Sequence, residues 1–329
     1  MTESVPRENE RQPAAAEWPD CALCGSVETR RLFTARDRLT GRPETFPVVA
    51  CVHCGLVFIS PRPPVQAIAA YYPDAYYPLD AEPSPESLAV AEGLCQRVMA
   101  WAHAHGHAAP RVLDVGCGTG VFLHLVQRAG GQVRGIEMSP SACAYAGIRY
   151  GLDVSCGTFD DVALPPGTVD IMTLWHVLEH VHNPLATLRK ARDLLAPDGV
   201  VLIGLPNFAS YEARLFGRRW YSLDAPRHLY QFTPATVQAL LRQAGFTVEQ
   251  VVHSSATFGL VYSIMGDLTG ISLRLRGRSL SPGTWRSIAR TLHPLAMPFC
   301  SVAARMGRGG ALEIVARPQA SATGLPGAW

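Results

Sequence analysis

The sequence predicts an α/β protein: a doubly wound, mostly parallel sheet preceded by a small cysteine-rich module. Three observations carry this reading. A strand, a glycine-rich turn and a helix follow one another over residues 111–126. A second short strand ends in a carboxylate at Glu137. Two C-x-x-C-G knuckles stand near the N-terminus, at Cys21 and Cys51.

The first element is the most informative. Val112, Leu113 and Val115 form a short apolar run of the kind that buries in a parallel sheet. Gly116-Cys117-Gly118-Thr119-Gly120 follows, and Val121, Phe122, Leu125 and Val126 continue at helical spacing. In such a turn backbone can approach a ligand closely. The pattern is G-x-G-x-G, with the third glycine one residue earlier than in a dinucleotide fingerprint. Val133 to Glu137 is the second strand, and an acid at its tip can accept both hydroxyls of an adenosine ribose. Asp114, at the tip of the first strand, is placed to meet a ligand ammonium or to fix the loop.

Bulk properties fit this frame. The chain has 329 residues, 48% hydrophobic and 17% charged, enough for one large domain and a small one. A net charge of +2 gives no general polyanion signature. Lys190 is the only lysine, so nearly all cationic charge is arginine. The polar first twenty residues read as a disordered tail without a signal peptide, and no run has transmembrane length. Nine cysteines without a secretory signal argue for thiols and metal rather than disulfides. Cys21, Cys24, Cys51 and Cys54 are the ligand set of a structural zinc ribbon over 21–60. Four thiolates leave no open position, and His53 inside the second knuckle is not expected to be a ligand.

Phe58 to Pro64 reads as a stiff extended connector, and Tyr71, Tyr72, Tyr76 and Tyr77 cluster after it. These tyrosines either pack the ribbon on the main domain or form a lid. A helix over Pro85 to His105, with Leu88, Val90, Leu94 and Met99 as apolar positions, completes a 61–110 linker and helical lid. Leu152 to Cys156 is the third strand and Val169 to Leu174 the fourth. Trp175-His176-Val177-Leu178-Glu179-His180-Val181 follows directly. Its H-x-x-E-H spacing matches an inverted zinc-protease signature, which should sit within a helix rather than at a strand tip.

The Gly loop, Glu137 and the L-E-H-V core together resemble class I S-adenosylmethionine-dependent methyltransferases. The catalytic part is similar to quinone-biosynthesis O-methyltransferases. The ribbon with its P-x-P and tyrosine segment resembles bacterial methyltransferases with N-terminal zinc ribbons. The resemblance implies a seven-stranded Rossmann-like sheet over 111–318, with the last strand antiparallel and S-adenosyl-L-methionine as cofactor. Carried over residue by residue, it implies cofactor contacts at Asp114, Gly116, Cys117, Gly118, Gly120, Glu137, Met138, Thr158, Phe159, Trp175 and His176. Thr158 stands where the family often has an acid to bind the adenine amine, which leaves that contact to Phe159 and backbone. Glu179 and His180 would fix the loop. A second reading has His176, Glu179 and His180 hold a divalent ion.

After strand five, Val200 to Leu205, the segment Asn207 to Tyr230 is rich in aromatics and arginine and is the expected acceptor loop. His180, His176 and His228 are the candidate general bases, in that order, for an acceptor that must lose a proton. Residues 256–310 form an apolar and basic insertion before the last strand, Ala311 to Ala316, with a short tail over 319–329. Arg274, Arg276, Arg278, Arg286, Arg290, Arg305 and Arg308 face only Asp267 there, a pattern that suits anionic lipid, a phosphate-bearing acceptor, a dimer face or simple packing.

The expected function is methyl transfer to a small-molecule, sugar or lipid-linked acceptor of secondary metabolism or surface-glycan synthesis. The chain is expected in the cytoplasm or at the inner face of the membrane. The alternatives are an RNA base methyltransferase gripping RNA with its ribbon, or a cofactor-binding protein without transfer. Near-neutral charge and a ribbon without basic residues interleaved with aromatics weigh against nucleic acid. NAD is the ligand of the competing doubly wound reading.

Overall fold

The computed structural model describes residues 15–73, 83, 85–276 and 281–319. The expectations for Tyr76, Tyr77, Arg278, most of the 1–20 tail and the 320–329 tail lie outside these residues, as do the side chains of Arg274 and Arg276.

The N-terminal module is a small antiparallel sheet of β1 (Thr29–Arg36), β2 (Thr45–Cys51) and β3 (Val57–Ile59). Its knuckles turn at Gly25 and Gly55, both with positive φ, where a side chain would be strained. Phe46, Val48, Phe58 and Ile59 are fully buried, each apolar side chain contributing about 1.5–3 kcal/mol. Helix α1 (Val65–Ile68) follows, then the long α2 (Pro85–Ala104). Of the apolar positions expected in α2, Leu94 and Met99 are buried while Leu88 and Val90 face outward. Small residues complete the buried stripe instead: Ala91, Cys95 and Ala102 join Leu94, Val98 and Met99 at spacings of three and four.

The large sheet contains β4 (Arg111–Val115), β5 (Gln132–Glu137), β6 (Val154–Cys156), β7 (Val169–Trp175) and β8 (Leu195–Pro206). A two-residue β9 (Tyr230–Gln231) comes next, then β10 (Phe246–Ser254) and β11 (Ala311–Pro318). The order is β10-β11-β8-β7-β4-β5-β6, and only β11 runs antiparallel to its neighbours. Chain order reverses between β4 and β7, which places a ligand crevice at the carboxyl ends of these strands.

Helices α3 (Val121–Arg128), α4 (Pro140–Tyr150), α5 (Pro184–Leu194), α6 (Tyr211–Phe216) and α7 (Pro234–Gln243) connect the strands. The insertion is a pair of helices, α8 (Phe258–Arg276) and α9 (Pro282–Arg305). Strand alternation divides the core. Val112, Ile171 and Val200 pack with α2 and α3, whereas Leu113, Met172 and Val201 pack with α5 and α7.

The second of these cores also contains the N-terminal module. Strand β9 pairs with β3, matching Val57 to Gln231 and Phe58 to Tyr230, so the small sheet has four strands. The segment expected as an open acceptor loop is therefore largely packed. Trp220, Arg227 and Tyr230 are buried in it, because it seals the module against the large sheet.

Candidate functional site

The Gly loop is shaped by three positive-φ glycines, at +73° (Gly116), +54° (Gly118) and +81° (Gly120). Two of them also answer close packing. A Cβ on Gly116 would lie 2.6 Å from Val177 Cγ2, and one on Gly120 would lie 2.6 Å from Leu152 Cδ1. The Gly116 and Cys117 amides both donate to the Ile136 carbonyl, at 2.7 and 3.1 Å. Cys117 turns its thiol inward against Gly135, where a Cβ would meet Sγ at 2.6 Å, and burial pushes that thiol well above its usual value. Only its backbone is positioned to face the crevice.

Glu137 braces this loop. One carboxylate oxygen accepts the Gly118 amide at 3.0 Å and the other accepts the Ser139 amide at 2.9 Å. The buried carboxylate thus ties the Gly loop to the start of α4, where Ser139 caps the Ala142 amide and Pro140 fills the first turn. Met138 beside it is 56% exposed and free to lie along a ligand. Thr158 is engaged with Asp161 through a reciprocal cap, and Phe159 is buried with Lys190 Nζ 4.9 Å from its ring centre.

Asp114 is buried on the α2–α3 side of the sheet and accepts a 2.6 Å hydrogen bond from Thr173 Oγ1, its register partner on β7. Burial raises its carboxyl to about 7, against the Thr173 bond and with the repulsion of Glu137. Such a group gains from a cation brought beside it. Thr173 was not among the residues expected here; its place opposite Asp114 depends on strand register.

Past β7 the chain turns at His176, which takes a left-handed φ of +53°. Trp175 lays its ring on the Gly204 backbone, so closely that a Cβ there would fall 1.7 Å from the ring. Its buried indole N–H has no hydrogen-bond partner among the described residues. His176 is 57% exposed, with Nδ1 3.1 Å from the buried Glu179 Oε1. Burial works against the Glu179 charge, but the mutual hydrogen bond outweighs it. His176 is held above its usual value and Glu179 is lowered to about 2.

The other two histidines come together. The His180 and His228 rings meet edge to face at 4.5 Å. Ligand atoms of Glu179, His180 and His228 all lie within 4.8 Å of one another, and Glu179 Oε2 is buried without a hydrogen-bond partner among the described residues. The Tyr72 hydroxyl stands 2.8 Å from His180 Nδ1, and the Ser222 carbonyl 2.8 Å from His228 Nδ1. A carbonyl only accepts, so His228 Nδ1 is the donor in that bond. Burial, and then the charge of His228, lower His180 to about 4. The Glu179 carbonyl accepts the Leu229 and Tyr230 amides, at 2.8 and 3.2 Å, which draws His228 to this loop. The expected trio of His176, Glu179 and His180 is therefore rearranged: His176 engages one oxygen of Glu179, and His228 joins the cluster.

The cysteines of the N-terminal module converge as well. Cys21 and Cys54 Sγ are 3.4 Å apart, Cys24 and Cys51 Sγ 3.5 Å apart, and all four lie within 4.8 Å. A tetrahedron with about 2.3 Å zinc–sulfur bonds fits sulfurs at this spacing.

A doubly wound sheet with one antiparallel strand, a braced G-x-G-x-G loop and an acid at the second strand tip define the class I methyltransferase fold. A family profile described as a methyltransferase domain matches residues 88–251. The ubiquinone biosynthesis O-methyltransferase of Xanthomonas euvesicatoria is 31% identical over 156 residues, 44% of this chain and 65% of that one. Its counterpart from Burkholderia multivorans is 28% identical over 183 residues, 53% of this chain and 78% of that one. Among solved structures, a protein from Galdieria sulphuraria described as a sarcosine dimethylglycine methyltransferase superposes with a TM-score of 0.50 at 15% identity. It covers 74% of this chain and 90% of its own. The cyclase SpnF also reaches 0.50, at 18% identity, over 79% of this chain and 99% of its own. At such identities the likeness is one of fold. Over residues 88–251 the chain matches the methyltransferase-domain family, and its sheet has the class I methyltransferase order. The first of the curated relatives is matched over slightly less than two thirds of its length.

Proposed function

We propose that this protein transfers the methyl group of S-adenosylmethionine to an oxygen of a small-molecule, sugar or lipid-linked acceptor. The observation that carries the reading is the His176–Glu179 pair at the tip of β7, 3.1 Å apart and one residue past the sheet. The activity in the relatives' names, O-methylation in ubiquinone biosynthesis, supports an oxygen acceptor. Glu137 is assigned the ribose hydroxyls and Asp114 the cationic end of the ligand. Gly116, Cys117, Gly118 and Gly120 offer backbone; Met138, Phe159, Trp175 and Thr158 line the approach.

When bound, S-adenosylmethionine supplies a methyl on a sulfonium that leaves readily as a thioether. The chain therefore contributes positioning and removal of one proton. His176 Nε2 takes the acceptor's hydroxyl proton as that oxygen bonds to the methyl carbon and the carbon–sulfur bond breaks. Glu179 keeps the opposite ring nitrogen protonated and stabilises the imidazolium that forms. This places His176 ahead of His180, whose lowered basicity suits positioning by Tyr72 rather than proton abstraction.

The four cysteines are assigned a structural zinc. A second reading for the inner cluster follows from the unpartnered Glu179 Oε2: Glu179, His180 and His228 would hold a divalent ion that orients the acceptor. Binding without transfer is the remaining alternative, since the cyclase SpnF has the same fold.

Titration calorimetry with S-adenosylmethionine, S-adenosylhomocysteine and NAD tests the cofactor, and labelled-methyl transfer to a panel of phenols, sugars and lipid-linked hydroxyls tests the acceptor. NAD binding in place of the first two would remove the basis of every role given above. Turnover lost on chelation with intact cofactor binding would favour the ion.

A further inference from the structure

Toward the core the insertion helix α9 packs the half-buried Trp285, Ile288 and Leu292 and the small, buried Ala289, Ala296, Cys300 and Ala303. Large apolar residues turn outward: Leu295 is 70% exposed, and Phe299, Val302 and Met306, at i+4, i+7 and i+11 from it, are 43, 53 and 60% exposed. That spacing makes one stripe along the helix and the residue that closes it. Helix α6 extends the stripe. Its first residue, Tyr211, sits 6.4 Å from the Phe299 ring and bonds Met306 Sδ at 3.8 Å; one turn on, Leu215 is 63% exposed. The result is one continuous apolar surface across two helices.

The surface has a basic border. Arg214 and Arg218 flank it from α6 and its following turn, and Arg305 and Arg308 from the end of α9, all four exposed. Helix α9 contains no aspartate or glutamate, and the one acid of α6, Glu212, is buried. The nearby acid of α8, Asp267, is paired to Arg219 at 2.8 Å.

We propose that the α6–α9 face docks on an anionic lipid bilayer, the apolar stripe entering the headgroup boundary and the four arginines meeting lipid phosphates. Charge selects this occupant over a second copy of the chain. A two-fold contact through the patch would set the same arginines against each other with no exposed acid on either helix to compensate. Among the described residues no helix is long and apolar enough to cross a membrane, so the docking is peripheral. The inference does not rest on the methyl-transfer reading.

The test is co-sedimentation of the full chain with phosphatidylcholine vesicles, with and without phosphatidylglycerol. Binding should require the anionic lipid and weaken with added salt. The Arg214→Glu and Arg305→Glu variants should each lose about fivefold or more in partitioning. The Leu295→Asp/Phe299→Asp variant should lose binding while keeping its circular dichroism and cofactor titration. Equal sedimentation on both vesicle types, or on neither, overturns the proposal. So does self-association in sedimentation equilibrium that the apolar variant abolishes, which would assign the face to a second copy. Binding to an acidic polypeptide at concentrations where anionic vesicles are ignored would assign it to a protein partner.

Discussion

Arg227 and Asp37 meet at 3.0 Å with both side chains fully buried, one from the segment after the large sheet's fifth strand, the other just past β1. The guanidinium also bonds Asp224 and the Tyr71 carbonyl, so each of its three nitrogens donates to an acceptor. The pair lies where the N-terminal module joins the catalytic sheet.

Removing Arg227 should leave the Asp37 carboxylate buried without its counter-charge. Arg227→Met is expected to cost about 3–5 kcal/mol in denaturant unfolding, with no selective effect on cofactor affinity. The pair also has a pH signature. Burial opposes the Asp37 charge, but Arg227 and Thr40 outweigh it and hold the carboxyl below its usual range. A lowered native value means that stability is present above the unfolded value, about 3.9, and is lost as pH falls through the native one. Acid unfolding of Asp37→Asn should show less of this loss.

Glu137→Ala should act twice. It leaves the Gly118 and Ser139 amides without their acceptors, at about 1–3 kcal/mol each, and it removes the proposed ribose contact. Thermal melting should show a lower apo midpoint and no rise on adding S-adenosylmethionine. A normal ligand-induced rise would remove Glu137 from the cofactor site.

Asp114 predicts proton release on cofactor binding. Burial raises its carboxyl to about 7, and a cation beside it would favour the ionised form. Affinity should therefore rise with pH, by up to about tenfold per unit, and level off above about pH 7. Calorimetry in buffers of different ionisation enthalpy reads the released proton directly. Asp114→Asn should abolish the buffer dependence.

Glu179→Gln should lower the ionisation of His176, since the carboxylate bond and charge hold it up. The acidic limb of the activity profile would move to lower pH, and His176→Gln should cost about 100- to 10,000-fold in turnover with little change in cofactor affinity. A profile unmoved by Glu179→Gln would point to His228 or to the ion.

Cys24→Ser, or chelation, should release about one zinc equivalent and lower the melting temperature. Because β3 pairs with β9 and Phe58 packs on Tyr230 at 6.3 Å, the loss should also loosen the segment bearing His228. Hydrogen exchange over 228–231 would report it.

Whatever is encoded locally was legible in the chain alone. The G-x-G-x-G turn, the acid ending the next strand and the cysteine knuckles are short patterns whose geometry follows from glycine dihedrals, strand ends and thiolate chemistry. They were enough to place the start of the sheet and the four cysteines, while the antiparallel last strand was what the family resemblance implied. Tertiary structure decided what depends on distant partners. Tyr72 reaches His180 across 108 residues, Arg227 reaches Asp37 across 190, and a two-residue strand completes a sheet begun at the N-terminus. Strand register set Thr173 on Asp114, and the carbonyl of Glu179 brought His228 beside His180. These contacts have no local signature, because packing against the whole core selects each partner.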